Sequence, residues 1–265
     1  MNKRLLLLCL GLSLHGCNGD NIEFLNSSNQ LETSDIYMQI IADVRQRTND
    51  QNESEDYTAL QVNFMGQHRD GYFFSIELND DDSVSASVDG APSTLVKQVF
   101  PDRGDPMAVR YAQDYTTTDA AAVYSVVLDR ERDAETHEVD FNLPEETPFS
   151  VSGEETGIEL QEAVLVEWSP LADTDYDLRL AYSCEYDNDT INFHLHYPNP
   201  DEPELSSPFT FIPGDYLDST EGLSDCTLTT SLTGSMYQEI TDSAFAQQEI
   251  LTSRRQAITR SLLLQ

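Results

Sequence analysis

Apolar and polar residues alternate with a period of two along most of the chain from Asp35 onward. This spacing is typical of β-strands that bury one face and leave the other in polar surroundings. In the first half of the chain it predicts strands at 37–44, 59–64, 72–78, 84–88, 123–128 and 137–141. The acidic run from Asn79 to Asp82 separates two of these segments, and we interpret the pair around it as a hairpin. This first set ends near Leu143.

A second set of short alternating segments follows and continues to the end of the chain. It predicts strands at 149–151, 164–168, 176–184, 191–197, 209–212, 226–232 and 257–264. Helical periodicity is weak throughout, and the best helical candidate is a short turn over 243–251. Two groups of short strands separated by turn residues favour an all-β fold with two tandem β-sandwich domains, at 35–143 and 144–265.

One stretch of the second set carries a resemblance to a known fold family. The segment Val164-Leu-Val-Glu-Trp168-Ser-Pro170 is followed by Tyr176, Leu178, Leu180 and Tyr182 in alternation. This pattern resembles strands B and C of a fibronectin type III domain, with a core tryptophan on the first strand and tyrosines on the second. The resemblance implies an Ig-like sandwich, and the chain departs from it at Cys184 and Cys226.

The N-terminus has the three parts of an export signal. Lys3 and Arg4 precede an apolar run over 5–14, and a small residue stands before a possible cleavage point. The run is too short to cross a bilayer, which needs about 20 apolar residues. The segment Leu14-His15-Gly16-Cys17 resembles the lipobox of bacterial lipoproteins, although His15 departs from the small or apolar residue usual there.

The lipobox resemblance implies cleavage between Gly16 and Cys17 and attachment of fatty acyl chains, such as palmitate, to Cys17. Two acyl chains suffice for stable anchoring, since each buried CH₂ contributes about 0.8 kcal/mol. Asn18 favours the outer membrane of a Gram-negative bacterium. Residues 1–16 are therefore interpreted as a signal peptide and 17–34, which are polar without a clear period, as a lipidated flexible tether. The whole pattern resembles uncharacterised envelope lipoproteins, which implies a fold and a location but no activity.

The charge balance limits the partners. Removing the signal takes Lys3 and Arg4 from the 14 basic residues and leaves all 48 acidic ones, so the mature formal charge is 12 − 48 = −36. Such a chain repels polyphosphate, which argues against nucleic acid as a partner. Only Lys97 remains among the lysines. Excess acid with almost no lysine is typical of proteins from salty habitats, and a cation-binding surface is the alternative interpretation.

The four cysteines reduce to one candidate pair. Cys9 leaves with the signal and Cys17 is expected to carry lipid, so Cys184 and Cys226 remain. In an oxidising envelope compartment, an even pair in β-type segments predicts a structural disulfide. On the chain-entropy model, closing a loop of this length stabilises the fold by about 4 kcal/mol at most.

Two kinds of candidate metal ligand occur, and each has an ordinary structural interpretation. His194 and His196 lie two residues apart, a spacing that some zinc sites use, with Asp187 and Asp189 nearby. Because the intervening residues are apolar, we expect both imidazoles to point to solvent. The acidic runs 80–82 and 187–189 offer oxygen ligands of the kind calcium prefers, but neither has the EF-hand order, and solvated turns are the expected role. We predict no metal site.

No catalytic motif is present: the chain lacks a G-x-S-x-G elbow, an H-E-x-x-H pair, a Walker loop and a dinucleotide fingerprint. We predict no catalytic residues, no cofactor and a non-catalytic binding or structural module. Its partners would be the membrane, through the lipid, and an envelope protein or polysaccharide. The alternatives are a calcium-dependent binding domain that uses loop aspartates and an envelope hydrolase without a recognisable motif. Arg254, Arg255 and Arg260 suit a last strand that meets the acidic remainder, or a basic edge that docks an acidic partner.

The anchor is directly testable with Cys17→Ser. The variant is expected to lose both its acyl chains and its membrane attachment, because the modified thiol is gone. Mass spectrometry of the mature N-terminus and membrane fractionation measure the two effects, and Cys9→Ser is the matched control that leaves the lipobox intact. Recovery of the wild type as a soluble, unacylated chain cleaved elsewhere would contradict the lipobox interpretation.

Overall fold

The regular structure of the protein, in this computed structural model, consists of β-strands and short 3₁₀-helices. The described residues are 27–48, 54–67, 73–100, 108–153, 157–187, 189–197, 205–217, 220–240 and 244–264. The 3₁₀-helices are Ser28–Gln30, Thr33–Asp35 and Pro213–Tyr216. The strands are β1 (Ile36–Thr48), β2 (Ser54–Gln67), β3 (Phe73–Ser75), β4 (Ser83–Val88), β5 (Ala91–Thr94), β6 (Val96–Phe100), β7 (Ala108–Tyr115), β8 (Tyr124–Arg130), β9 (Glu135–Phe141), β10 (Phe149–Val151), β11 (Ile158–Glu159), β12 (Val164–Trp168), β13 (Asp175–Tyr186), β14 (Asp189–Tyr197), β15 (Phe209–Phe211), β16 (Leu223–Glu239) and β17 (Gln247–Leu263). Within these ranges, no helix has the length and apolar content needed to cross a membrane.

The predicted all-β class is confirmed. β10 and β12 have the predicted bounds, whereas β13, β16 and β17 extend several residues beyond them. The predicted turn over 243–251 is wrong, because β17 already begins at Gln247 and alternates buried and half-buried residues from there. β5, β6, β7 and β11 are not among the predicted strands. β5 is a short and largely exposed edge strand that contains a proline.

The strands of the described residues form three sheets. The large sheet is ten-stranded, in the order β14-β13-β16-β17-β1-β2-β7-β6, with β3 added to β2 and β11 added to β17. The four-stranded sheet has the order β5-β4-β8-β9, and the three-stranded sheet has the order β10-β12-β15. β17 pairs antiparallel with β16 and parallel with β1, from Tyr37 opposite Gln247 to Val44 opposite Arg254. The last strand therefore lies at the centre of the large sheet and joins strands from both halves of the chain.

The hairpin predicted around the acidic run 79–82 is wrong. β3 pairs with β2 in the large sheet, whereas β4 pairs with β5 and β8 in the four-stranded sheet. The turn between them carries the chain from one sheet to the other, and the Asp82 amide donates to the Asn79 carbonyl at 3.0 Å. Period-two alternation identifies a strand and its buried face, but it does not identify the partner strand.

Two hydrophobic clusters lie between the large sheet and the small sheets. The first is formed by the four-stranded sheet with β1, β2 and β7, and the second by the three-stranded sheet with β13 and β16. The even-numbered residues of β17 contribute to both clusters: Ile250 belongs to the first cluster and Leu262 to the second. Both small sheets therefore cover the same face of the large sheet. The clusters divide near residue 143, but the large sheet is continuous across this point, so the two-domain division stays a prediction.

Residues 27–34 are docked on the body, which corrects the predicted tether of residues 17–34. Ser28 and Thr33 are buried, and two of the 3₁₀-helices shape this part of the chain. The physical reason is that polar side chains and backbone carbonyls of the segment satisfy a charge buried in the four-stranded sheet. Residues 17–26, including Cys17, lie outside the described residues, as does the predicted signal peptide.

The buried charge belongs to Arg130, whose side chain is fully shielded from solvent. Its Nη2 donates to the carbonyls of Ser28 and Leu31 at 2.7 and 2.9 Å. The carboxylates of Asp82 and Asp133 lie 3.7 Å from its Nε and 3.2 Å from its Nη1. A buried charge is costly unless it is paired and hydrogen-bonded, so this network holds the N-terminal segment in place.

The predicted disulfide is present between Cys184 of β13 and Cys226 of β16. The two Cα atoms are 4.0 Å apart, and both residues are buried in the second cluster. The register of the two strands shifts between Ser183 and Glu185, so Cys184 sits at an irregularity in the pairing. The bond therefore links neighbouring strands of the large sheet where their hydrogen bonding is interrupted.

Replacing Arg130 tests the docking of the N-terminal segment. Arg130→Leu is expected to lower the free energy of unfolding by about 3–5 kcal/mol, because it leaves buried carboxylates without their cation. Urea denaturation measures the loss. The matched control is Arg132→Leu. Arg132 is partly exposed at the protein surface, and its Nη1 donates to the Asn29 carbonyl oxygen at 2.8 Å. That variant should lose about 1 kcal/mol or less. Equal losses in the two variants would contradict the assigned role of Arg130.

Candidate binding surface

One face of the large sheet is covered by neither small sheet. The register places on it the odd-numbered residues of β13, β16, β17, β1 and β2 and the even-numbered residues of β14 and β7. We refer to this face as the open face. Its described side chains are exposed or half-buried, apart from Ser231, which is buried. The open face is thus a broad surface built on a regular hydrogen-bonded sheet.

Two hydrogen-bonded groups of polar side chains follow one another across the open face from β17 to β6, and we refer to them together as the amide ladder. The first group is Glu249, Gln39 and Asn63, and the second is Gln61, Arg110 and Gln98. Asn63 Nδ2 donates to Gln39 Oε1 at 3.3 Å, and Arg110 Nε donates to Gln98 Oε1 at 2.8 Å. Because a side-chain amide has two N–H donors and two acceptor lone pairs, these bonds fix each amide and still leave it capacity for an external ligand.

Exposed aromatic side chains flank this amide ladder. Phe73 is 51% exposed and packs edge-on against Tyr37, with ring centroids 4.8 Å apart. A cavity of about 240 Å³ is lined by both rings together with Met38, Gln39, Met65, Gln247 and Glu249. On β16, Tyr237 is 55% exposed and lies opposite Leu251 of β17. Aromatic rings with polar neighbours are typical of binding surfaces, since each ring offers apolar area beside hydrogen-bonding groups.

Arg179 of β13 and Arg255 of β17 lie on the open face on either side of β16. Arg255 Nη2 donates to Ser231 Oγ at 3.0 Å, and Ser231 is the register partner of Arg179. Burial lowers the pKa of Arg255, the nearby charge of Arg179 lowers it further, and Asp177 raises it in part. We refer to Arg179, Ser231 and Arg255 as the cationic cluster. It brings two like charges together on a strongly acidic protein.

His194 and His196 are exposed on the open face, as their alternation with Phe193 and Leu195 predicts. His196 is the register partner of Arg179, so a guanidinium stands on the neighbouring strand. A nearby positive charge raises the cost of binding a metal cation there. In the described part of the chain, no three or more His, Cys, Asp or Glu side chains form a group that could hold a metal ion.

The acidic runs considered as calcium ligands have other roles. The expected solvation of the run 80–82 is wrong for Asp82, which is buried and whose Oδ2 accepts a hydrogen bond from Ser28 Oγ at 2.5 Å. Asp187 has a φ of 49°. It lies in a two-residue turn, since Tyr186 and Asp189 on either side of the turn are register partners. Aspartate and asparagine tolerate this conformation in tight hairpins, so the run from Asp187 to Asp189 is explained by turn chemistry.

A second cavity, of about 450 Å³, lies beside the junction of the two halves of the large sheet. Its lining residues are Asp140, Phe141, Asn142, Asp173, Met236, Tyr237, Gln238, Ile250 and Thr252. This lining contains two carboxylates, Asp140 and Asp173, but no histidine, cysteine or serine, so a Ser-His or Cys-His pair is not formed in this cavity. The hydrolase alternative stays a prediction.

The three arginines of the last strand separate in the structure. Only Arg255 is on the open face, whereas Arg254 and Arg260 are on the side of the clusters, and Arg254 donates to the Thr118 carbonyl. β17 is hydrogen-bonded on both sides along 249–254, whereas in the described residues 255–261 pair only with β16, so the basic-edge alternative stays a prediction. Sequence patterns could not predict that Arg255 lies near Arg179, because β16 separates the strands of these two arginines in the sheet.

Comparison with models of protein families and with curated proteins finds no match for this sequence. The open face is therefore interpreted from its own residues.

Metal ions provide a direct test of these assignments. Adding Zn²⁺ or Ca²⁺ and then a chelator is expected to leave the melting temperature unchanged, because a ligand stabilises a protein only when it binds the folded state. Differential scanning fluorimetry measures this, with Asp187→Asn as the variant of the candidate loop. A rise in melting temperature with Ca²⁺ that Asp187→Asn abolishes would restore the calcium-dependent alternative.

Proposed function

We propose that the chain is a lipid-anchored lipoprotein of the cell envelope, in the outer membrane of a Gram-negative bacterium, and that it is a non-catalytic binding module for a polysaccharide. The observation that carries the binding role is the open face. The large sheet runs through both halves of the chain, and both small sheets lie on its other side. A surface of this kind is available to an extended partner along its whole width.

The dimensions of the open face suit a chain-like ligand. Its main path has eight strands, and neighbouring strands are about 4.8 Å apart, so it is roughly 34 Å wide. The amide ladder runs across the strands in this direction, from Glu249 of β17 to Gln98 of β6. An extended polymer that crosses the strands therefore meets repeated hydrogen-bonding groups, whereas a compact small molecule would use only a small part of them.

The chemistry of the open face suits sugar hydroxyls. Along β16 its residues are Thr227, Thr229, Ser231, Thr233, Ser235 and Tyr237. Hydroxyl and amide groups both donate and accept hydrogen bonds, as sugar hydroxyls do. The exposed rings of Tyr237 and Phe73 offer flat apolar area to a sugar ring. A partner protein would use the same groups, but the unbroken run of hydroxyl side chains at these positions of β16 favours the more polar ligand.

The second half supports the proposed family resemblance. Its strands form a three-stranded sheet, β10-β12-β15, opposite four strands of the large sheet, β14-β13-β16-β17. β12 and β13, the strands with the Trp168 and Tyr182 pattern, face each other across the second cluster. We infer a fibronectin type III-like sandwich here. Such a fold supports presentation of a binding surface, but the function is argued from the open face itself.

The proposed anchor is compatible with access to an envelope polymer. If lipid is attached at Cys17, the docked segment begins only ten residues later, at Ser27. Ten residues span at most about 35 Å, so the body stays close to the membrane surface. The lipid then supplies membrane attachment, and the open face is left for the polysaccharide.

Native gels that contain dextran, xylan or alginate test the polysaccharide role. The purified mature chain is expected to be retarded by at least one of them. Gln39→Ala combined with Tyr237→Ala should weaken retardation about tenfold or more, because it removes a hydrogen-bonding group and an exposed ring worth about 1 kcal/mol each.

The matched control is Tyr186→Ala, which removes an exposed tyrosine that is not on the open face. This variant should be retarded like the wild type. Absence of retardation by all three polymers, or equal retardation of the open-face variant, would overturn the proposed function.

A further inference from the structure

Two neighbouring strands of the large sheet, β16 and β17, lack acidic residues over long stretches. Residues 227–238 of β16 and 250–264, which include most of β17, contain no aspartate or glutamate, although the chain has 48. The same stretches contain Arg254, Arg255 and Arg260. On the open face these two strands therefore carry no negative side chain over these stretches, although Asp177 of β13 and Asp43 of β1 lie opposite Thr233 and Ser253.

The cationic cluster lies on this region with unused hydrogen-bonding capacity. Arg255 donates to Ser231 Oγ at 3.0 Å, and no carboxylate in the described residues is within ion-pair distance of it or of Arg179. The Nε of Arg179 is shielded from solvent and has no hydrogen-bond partner among the described residues. Arg45 and Arg130, by contrast, each have a carboxylate partner, since Arg45 lies 2.7 Å from Asp43 and Arg130 lies 3.2 Å from Asp133.

This arrangement is electrostatically unfavourable without an anion. Two guanidinium groups on alternate strands repel each other, and partial burial weakens the screening by water. Asp177 of β13 offsets only part of this cost, because its register partner is Thr233 and it forms no ion pair with either arginine. An oxyanion between the two guanidinium groups would relieve the repulsion and would accept charge-assisted hydrogen bonds from both.

We propose that the cationic cluster binds carboxylate groups of an acidic polysaccharide that lies across the open face. This inference rests on the proposed function and names the class of polymer. Arg179 and Arg255 contact the carboxylate. The surrounding hydroxyl groups, such as the hydrogen-bonded pair Thr229 and Thr259 at 2.9 Å, face the uncharged hydroxyls of the same chain. His196, beside Arg179, adds a further N–H donor.

The observations favour a polysaccharide over an anionic membrane or an acidic peptide. An extended anionic membrane would meet a large part of the protein surface, whose mature charge of −36 repels it, whereas a single chain contacts only a narrow strip around the cationic cluster. A peptide that added a strand along 255–261 of β17, which pair only with β16 in the described residues, would lie beside Arg255 but three strands away from Arg179. The acidic residues elsewhere on the protein repel a single polysaccharide chain only weakly, because repulsion is screened beyond about 8 Å at physiological ionic strength.

The test measures the dissociation constants of alginate, a polyuronate, and of dextran, a neutral glucan, by affinity electrophoresis of the full mature chain. Arg179→Gln and Arg255→Gln are each expected to weaken alginate binding about tenfold, the usual effect of losing a hydrogen bond to a charged group. Their dextran retardation should not change. The matched control is Lys97→Gln, which removes one positive charge from β6 at the edge of the large sheet. This variant should bind alginate like the wild type.

If the two arginines only stabilise the fold, each substitution lowers the melting temperature. Carboxylate recognition predicts instead that each single substitution leaves the melting temperature unchanged or raises it, because it relieves like-charge repulsion. Loss of alginate binding at full stability, together with competition by free glucuronate, supports carboxylate recognition. Loss of binding that accompanies a lower melting temperature in both variants would overturn it.

The remaining outcomes separate this inference from the function on which it rests. If alginate, dextran and xylan all fail to retard the wild type, the polysaccharide role itself is wrong. If a neutral polymer binds and the arginine variants bind it and alginate like the wild type, only the carboxylate inference is wrong. Arginine-dependent binding to phosphatidylglycerol vesicles or to polyglutamate, without alginate binding, would replace the polysaccharide by a membrane or an acidic peptide.

Discussion

The parallel pairing of β17 with β1 is the interaction on which the rest of the structure depends. It joins the last strand of the chain to the first and makes one continuous large sheet from both halves. Because β17 keeps the same residues toward the clusters along its length, both small sheets pack on one side. The other side is left as a single open face. Without this pairing, the amide ladder and the cationic cluster would lie on separate surfaces.

Arginine has two contrasting roles in this acidic protein. Arg130 is completely buried, and carboxylates together with backbone carbonyls compensate its charge, so it fixes the N-terminal segment. Arg179 and Arg255 lie on the open face and have no carboxylate as an ion-pair partner in the described residues. A protein with 48 acidic residues has ample means to neutralise a cation. The contrast is therefore a property of position, and it is the basis for inferring a ligand at the second pair.

The candidate site could be predicted from the sequence only in part. Alternation correctly places His194 and His196 outside the hydrophobic cluster, and turn chemistry explains Asp187. The cationic cluster could not be predicted, because Arg179 and Arg255 become neighbours only when β16 is inserted between their strands. Nor could the burial of Asp82 be predicted, since it depends on Arg130 from a distant part of the chain.

The sequence by itself determined most of the strand-forming segments, the buried face of each of those strands and the pair of cysteines available for a disulfide. These features follow from local spacing and from counting, since a strand's side chains alternate between its two faces. Only the tertiary structure decided which strands pair, that residues 27–34 dock on the body, and that both halves share one sheet. The reason is that hydrogen bonds between strands are alike for all sequences, so the choice of partner depends on packing and buried charge across long separations.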